Sequence, residues 1–194
     1  MEKLETSDSK RKILEATSEL FLEGGLPALS VRAISKRAGL STIGIYSHFQ
    51  GKQGILDALY IEGFNKVREA VSIDDDELTP KQAVMKASER YLDVVDNYQA
   101  HYQLIFGKSE SGYVPSPEAK AAGVKAFQHN TKLIARLLPD NASLADIQRT
   151  ALDIWAIIHG YAGLQYHAVS TLLNIKNWRE IILGTVANHI DNLA

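Results

Sequence analysis

Residues 30–52 read SVRAISKRAGLSTIGIYSHFQGK. Ser30 is placed to cap a short helix carrying Val31, Ile34 and Ala38, and Gly39 ends that helix where the chain needs a positive φ. Ser41 then caps a second helix through about His48. Only Ala38-Gly39-Leu40-Ser41 separates the two, and a Gly-containing turn of that length is helix-turn-helix geometry. Ala33, Ile34 and Ala38 facing Ile45 and Phe49 supply a small core, which turns Ser41 to Gly44 outward. A plain pair of capped helices with a solvated face has the same pattern, and these residues alone leave both readings open.

Charge around the stretch is uneven. Between residues 9 and 52 stand seven basic side chains, Lys10, Arg11, Lys12, Arg32, Lys36, Arg37 and Lys52, against only Glu15, Glu19 and Glu23. Residues 53–194 carry 13 basic and 17 acidic side chains, so a chain of net charge −2 still has one basic end suited to phosphates.

Outward from this stretch, apolar residues recur at helical spacing nearly throughout, without period-two runs. The expected fold is all-α. Helices are predicted over residues 10–23, 52–72, 81–97, 101–107, 118–138, 144–173 and 178–193, with Gly24-Gly25 stopping the first and Thr79-Pro80 opening a later one. The loop KSESGYVPSP, 108–117, is the longest and reads as a flexible surface or lid element. From Ile154 to Ile175 no residue is charged, a length that fits a bilayer. His159, Gln165, His167, Ser170 and Asn174 interrupt it, so a helix buried on most sides by protein is the better reading.

At 194 residues, 45% hydrophobic and 23% charged, the chain has the composition of a globular protein with a sizeable core. It has no cysteine, which excludes disulfides, thiolate metal sites and thiol nucleophiles. The polar start MEKLETSDSKRK lacks the apolar run of a signal peptide, so a cytoplasmic location is expected. Six scattered histidines form no His-Glu-x-x-His or Glu-x-x-His pattern, and Gly-x-Ser-x-Gly and phosphate-binding Gly-rich loops are missing. Asp93 and Asp96, three apart, read as a solvent-facing pair. No catalytic residue, cofactor or metal is expected.

Residues 10 to about 59 resemble the DNA-binding domain of the TetR family of bacterial transcriptional repressors. The resemblance rests on Gly24-Gly25, Ser30, Ile34, Ala38-Gly39-Leu40-Ser41, Tyr46, Phe49 and Lys52, and on the string AGLSTIGIYSHFQGK. It implies DNA-binding roles for Ser30, Arg32, Ser41, Thr42, Ile43, Gly44, Tyr46, His48 and Lys52. Arg32, Thr42 and Ile43 would face base edges, Tyr46 and His48 would lie against the backbone, and Lys52 would sit by phosphate at a helix start. Gly44 departs from the family's usual Thr or Ser, which removes one phosphate contact; Ile43 is larger than usual and suits a thymine methyl.

Trp155-Ala156-Ile157-Ile158-His159-Gly160 resembles the Trp-x-x-x-His-Gly signature of one branch of TetR C-terminal domains. Trp155 and His159 share a helical face; a packing Trp with a hydrogen-bonded core His has the same spacing. By the same resemblance Tyr91, Tyr102, Phe106, Tyr113 and Phe127 join Trp155 and His159 around an effector cavity.

The resemblance implies a three-helix helix-turn-helix DNA-binding domain over residues 1–52 and a helical effector-binding and dimerisation domain over 53–194. The expected protein is a homodimeric, ligand-responsive repressor of a pseudo-palindromic double-stranded DNA operator. Its effector would be small and largely apolar, and no membrane is involved. The alternative is an all-helical small-molecule or lipid binding protein that does not bind DNA, against which the segment from Tyr46 to Lys52 argues.

Overall fold

The serines act as the sequence places them. Ser30 accepts from the Ala33 amide and Ser41 from the Gly44 amide, each at 3.1 Å, an arrangement contributing about 1 kcal/mol per cap. Gly39, at φ 67°, closes the first helix in the left-handed region.

The computed structural model describes residues 2–107 and 112–193. Among them are ten α-helices and no strand: α1 (Glu2–Gly24), α2 (Val31–Ala38), α3 (Thr42–Phe49), α4 (Lys52–Val71), α5 (Pro80–Asn97), α6 (Gln99–Phe106), α7 (Pro117–Ala135), α8 (Leu144–Gln165), α9 (Val169–Leu173) and α10 (Trp178–Asp191). A 3-10 turn, Leu26–Ala28, joins α1 to α2. The chain divides into two units, residues 1–65 with 98–124 and residues 66–97 with 125–194, so α4 and α7 each contribute to both.

In the first unit Ile13, Phe21, Leu26, Leu29, Ile34, Ile45, Ile55, Leu56 and Leu59 form one buried cluster with Ala100, Leu104 and Tyr113. On α1 the side chains of Ile13, Ala16, Thr17 and Phe21 turn inward, and the Thr17 hydroxyl donates to the Ile13 carbonyl at 2.7 Å. In the second unit α10 packs on α5 and α8, burying Ile182, Val186 and Ile190 with Val84, Val95, Ile154 and Ile158. Thr79 and Gln82 form a capping box at the start of α5.

Several boundaries differ from expectation. α1 begins at Glu2 rather than Lys10, and Asp8 ion-pairs with Arg11 and Lys12 along that added length. α6 starts two residues earlier than predicted. α7 ends at Ala135, after which the amides of 136–138 bond carbonyls three residues back as tight turns. The helix predicted over 144–173 is broken at 166–168, giving α8 and the short α9. Within this chain the uncharged run is not buried on most sides: α8 turns Ile154, Ile158 and Ala162 inward, while Leu164, Tyr166, Leu172 and Leu173 are exposed. Among the described residues no helix is long and apolar enough to cross a membrane.

Candidate nucleic-acid interface and effector cavity

α2 and α3 are held by Ile34 and Ile45, both fully buried. What they leave outside is a mixed surface. Ile43 is 79% exposed and Tyr46 56%, and Arg32 is also exposed. Thr42 and His48 are half-buried, the latter edge-on to Phe49. Ser30 and Ser41 spend their hydroxyl oxygens on the caps. A Cβ at Gly44 would meet only Ser41 Oγ at 3.6 Å, so this position has room for the side chain it lacks.

The cations divide into structural and available ones. Arg37 forks onto both carboxylate oxygens of Glu23, at 2.8 and 2.9 Å, and reaches Glu19 at 3.1 Å, fastening α2 to α1. Those bonds hold the Glu23 carboxyl below the usual carboxylate range. Arg11 and Lys12 pair within α1. Lys10, Arg32 and Lys36 make no ion pair among the described residues. Lys52 donates to the Leu26 carbonyl at 3.0 Å, so its ammonium ties the start of α4 to the turn after α1. An ammonium has three donors, which leaves capacity for a phosphate.

The second unit contains a small apolar cavity, partly open to solvent. Its walls include Val67, Val84, Ile134, Ile154 and Ile158, and its polar groups come from Ser88, Tyr91, Asn130 and Trp155. Among the described residues no charged side chain lines it. Trp155 stacks on Phe127, with centroids 5.5 Å apart and planes at 25°. Trp155 Nε1 donates to the Tyr91 hydroxyl at 3.1 Å, and that hydroxyl lies 2.8 Å from His159 Nε2.

Of the residues expected around an effector, the structure brings together Tyr91, Phe127, Trp155 and His159. Tyr102, Phe106 and Tyr113 belong to the first unit. There Tyr113, Tyr60, Phe64, Phe106 and Tyr102 follow one another as neighbouring rings 5.0–6.1 Å apart. Of the predicted lid, residues 108–111 lie outside the described residues. The part that follows is docked: Tyr113 is buried and its hydroxyl donates to Asp57 at 2.8 Å. Burial first, then the Asp57 bond, pushes the Tyr113 hydroxyl far above its ordinary range. Sequence reading missed Asp57, Ser88 and Asn130; each is a polar residue on a helix that otherwise turns apolar side chains the same way. Asp93 and Asp96 are both ion-paired to Arg179, at 2.9 and 3.6 Å. Among the described residues no three His, Asp or Glu side chains are grouped to hold a metal.

Residues 13–59 match the family described as bacterial regulatory proteins, tetR family. Among curated relatives, the HTH-type transcriptional activator FasR of Mycolicibacterium smegmatis is 27% identical over 73% of this chain and 64% of its own length. The HTH-type transcriptional repressor KstR2 of Rhodococcus jostii is 30% identical over 50% of each chain. The chain thus spans less than two thirds of the length of these relatives. Family and relatives are transcriptional regulators, not enzymes. A solved tetR-family regulatory protein from Rhodococcus RHA1 shares the fold, with a TM-score of 0.72 at 19% identity, covering 94% of this chain and 95% of that one. PfmR of Thermus thermophilus does so with a TM-score of 0.68 at 17% identity, covering 94% and 98%.

Proposed function

Residues 13–59 carry the N-terminal module of the tetR family of bacterial regulatory proteins, and from that premise we propose that the chain is a cytoplasmic, DNA-binding transcriptional regulator that acts as a ligand-responsive repressor. Residues 1–52 read double-stranded DNA, and 53–194 bind effector and dimerise. The observation that carries the reading is the outward face of the capped pair α2 and α3, where exposed Arg32, Ile43 and Tyr46 stand beside cations not consumed by ion pairs. Arg32, Thr42 and Ile43 face base edges while Tyr46, His48 and Lys52 position the backbone.

The working unit is a homodimer. On α8 the residues Leu152, Ala156, Gly160, Gly163 and Leu164 are all exposed on one chain. This face, at spacings of about one turn, suits close packing against a second copy with help from α10. Two recognition helices related by a twofold axis read half-sites about one helical turn, ~34 Å, or somewhat more apart.

The effector is small, uncharged and largely apolar, as the cavity's uncharged walls favour. Trp155 and His159 act here as in the Trp-x-x-x-His-Gly branch. Effector binding releases DNA by favouring a DNA-incompetent arrangement, transmitted through α4 and α7. A hundredfold preference for that state, ~2.7 kcal/mol per subunit, suffices to shift a dimer.

Selection of duplexes from a random library by the purified chain tests the reading; enrichment of one pseudo-palindrome is expected. No enrichment, with apolar compounds still quenching Trp155, would favour the alternative of a helical small-molecule binder without DNA function, for which the cavity alone suffices.

A further inference from the structure

The segment 112–116 is stitched to the first turns of α4 by bonds that converge on one side chain. Asp57 accepts from the Tyr113 hydroxyl at 2.8 Å, the Ser116 amide at 3.1 Å and Gln53 Nε2 at 3.2 Å. Gln53 Nε2 also donates to the Val114 carbonyl at 3.0 Å. The Tyr113 ring packs on Tyr60, with centroids 6.1 Å apart, so an apolar contact one turn further along α4 backs the polar ones.

Those first turns of α4 are joined to the recognition helix without slack. Only Gln50 and Gly51 separate α3 from α4, both at positive φ. A Cβ on Gly54 would collide with the Phe49 carbonyl oxygen, so the end of α3 lies directly on the backbone of α4. Lys52 holds the same turn to the Leu26 carbonyl. A tilt of α4 at Gln53 and Asp57 therefore has no flexible side chain between it and α3 to absorb it.

We propose that Asp57 and Tyr113 are positioning residues for DNA reading: the 112–116 segment, strapped to Asp57, sets the pose of α3 through Gly54 and thereby the preference among DNA sequences. The inference rests on the DNA-binding reading above and adds residues that touch no DNA. Neighbouring phosphate contacts carry sequence-independent affinity, so loss of the strap shows in discrimination between duplexes before it shows in total affinity.

The test uses the full chain and fluorescence anisotropy on two labelled duplexes: one enriched by the wild-type protein from a random library, the other a scramble of equal length and composition. Tyr113→Phe and Asp57→Leu each lower the ratio of selected to scrambled affinity roughly tenfold. Affinity for the scramble and its salt dependence stay at wild-type values. The double variant is no worse than Asp57→Leu alone, because that substitution already removes the Tyr113 bond. Asp57→Asn, whose amide oxygen still accepts a hydrogen bond, falls between. Gln53→Ala, at an exposed position that does not endanger folding, lowers the ratio in the same direction by about threefold. Folded variants with an unchanged ratio, or with parallel losses on both duplexes, overturn the proposal. A wild-type chain that enriches no duplex overturns the DNA-binding reading and this inference with it.

Discussion

The Tyr91 hydroxyl lies 2.8 Å from Nε2 of His159 while accepting from Nε1 of Trp155, so three side chains on α5 and α8 share one polar cluster beside a largely apolar cavity. The Tyr91 oxygen keeps a second lone pair besides the one that accepts from Trp155, so either tautomer of a neutral His159 ring completes the bond. Burial favours that neutral ring and lowers His159 from its ordinary 6.5 to about 4.

This neutrality makes folding sensitive to mild acid. Below pH 6.5 the unfolded chain takes up a proton that His159 in the folded chain refuses until about pH 4. Stability therefore falls as pH drops through that window, by on the order of 3 kcal/mol from this group. His159→Gln, which cannot titrate, flattens the curve between pH 6.5 and 4, and urea unfolding at a series of pH values measures it. Identical slopes in both proteins would refute the assignment.

The proposed function gives Lys52 and the start of α3 separable roles. Lys52→Met weakens every duplex about equally and lowers the salt slope by about 1. Thr42→Ala and Ile43→Ala instead change which sequence is selected, by about 1–3 kcal/mol at one base position. Anisotropy titrations at several salt concentrations distinguish the two, and a change of preference confined to Lys52→Met would reverse the roles.

Arg37 fastens α2 to α1. Its bonds to Glu19 and Glu23 are exposed, so their contribution is small and screened. Arg37→Ala lowers the melting temperature by a few degrees at low salt, and the difference vanishes near 1 M salt. A large loss of DNA affinity without any change in melting would contradict this role.

Leu152 and Leu164 lie 56% and 44% exposed on α8, on the face assigned to a second copy. Leu152→Glu combined with Leu164→Glu places two like charges on each side of a twofold contact. Sedimentation is expected to find a dimer for the wild type and a monomer for the double variant at micromolar concentration. A wild-type monomer would remove the dimer from the proposal.

What could be read from the residues alone was local. Caps at Ser30 and Ser41, the left-handed Gly39 and the inward Ile34 and Ile45 depend on spacings of a few positions, so the helix pair and its outward Ile43 were legible, as was the family resemblance. Helical periodicity says which side of a helix turns inward and is silent about what it meets there. For that reason Tyr91, Phe127, Trp155 and His159 could not be told apart from Tyr102, Phe106 and Tyr113, which pack with Tyr60 and Phe64 in another unit. The break at 166–168 was likewise not legible, since no Pro or Gly marks it. Lys52 at the Leu26 carbonyl, Arg37 across Glu19 and Glu23, and Asp57 holding Tyr113 join residues 14 to 56 positions apart. A charge's partner at that distance is chosen by how the chain packs in three dimensions, and only the tertiary structure decided which cations were spent on the fold and which polar group holds the strap.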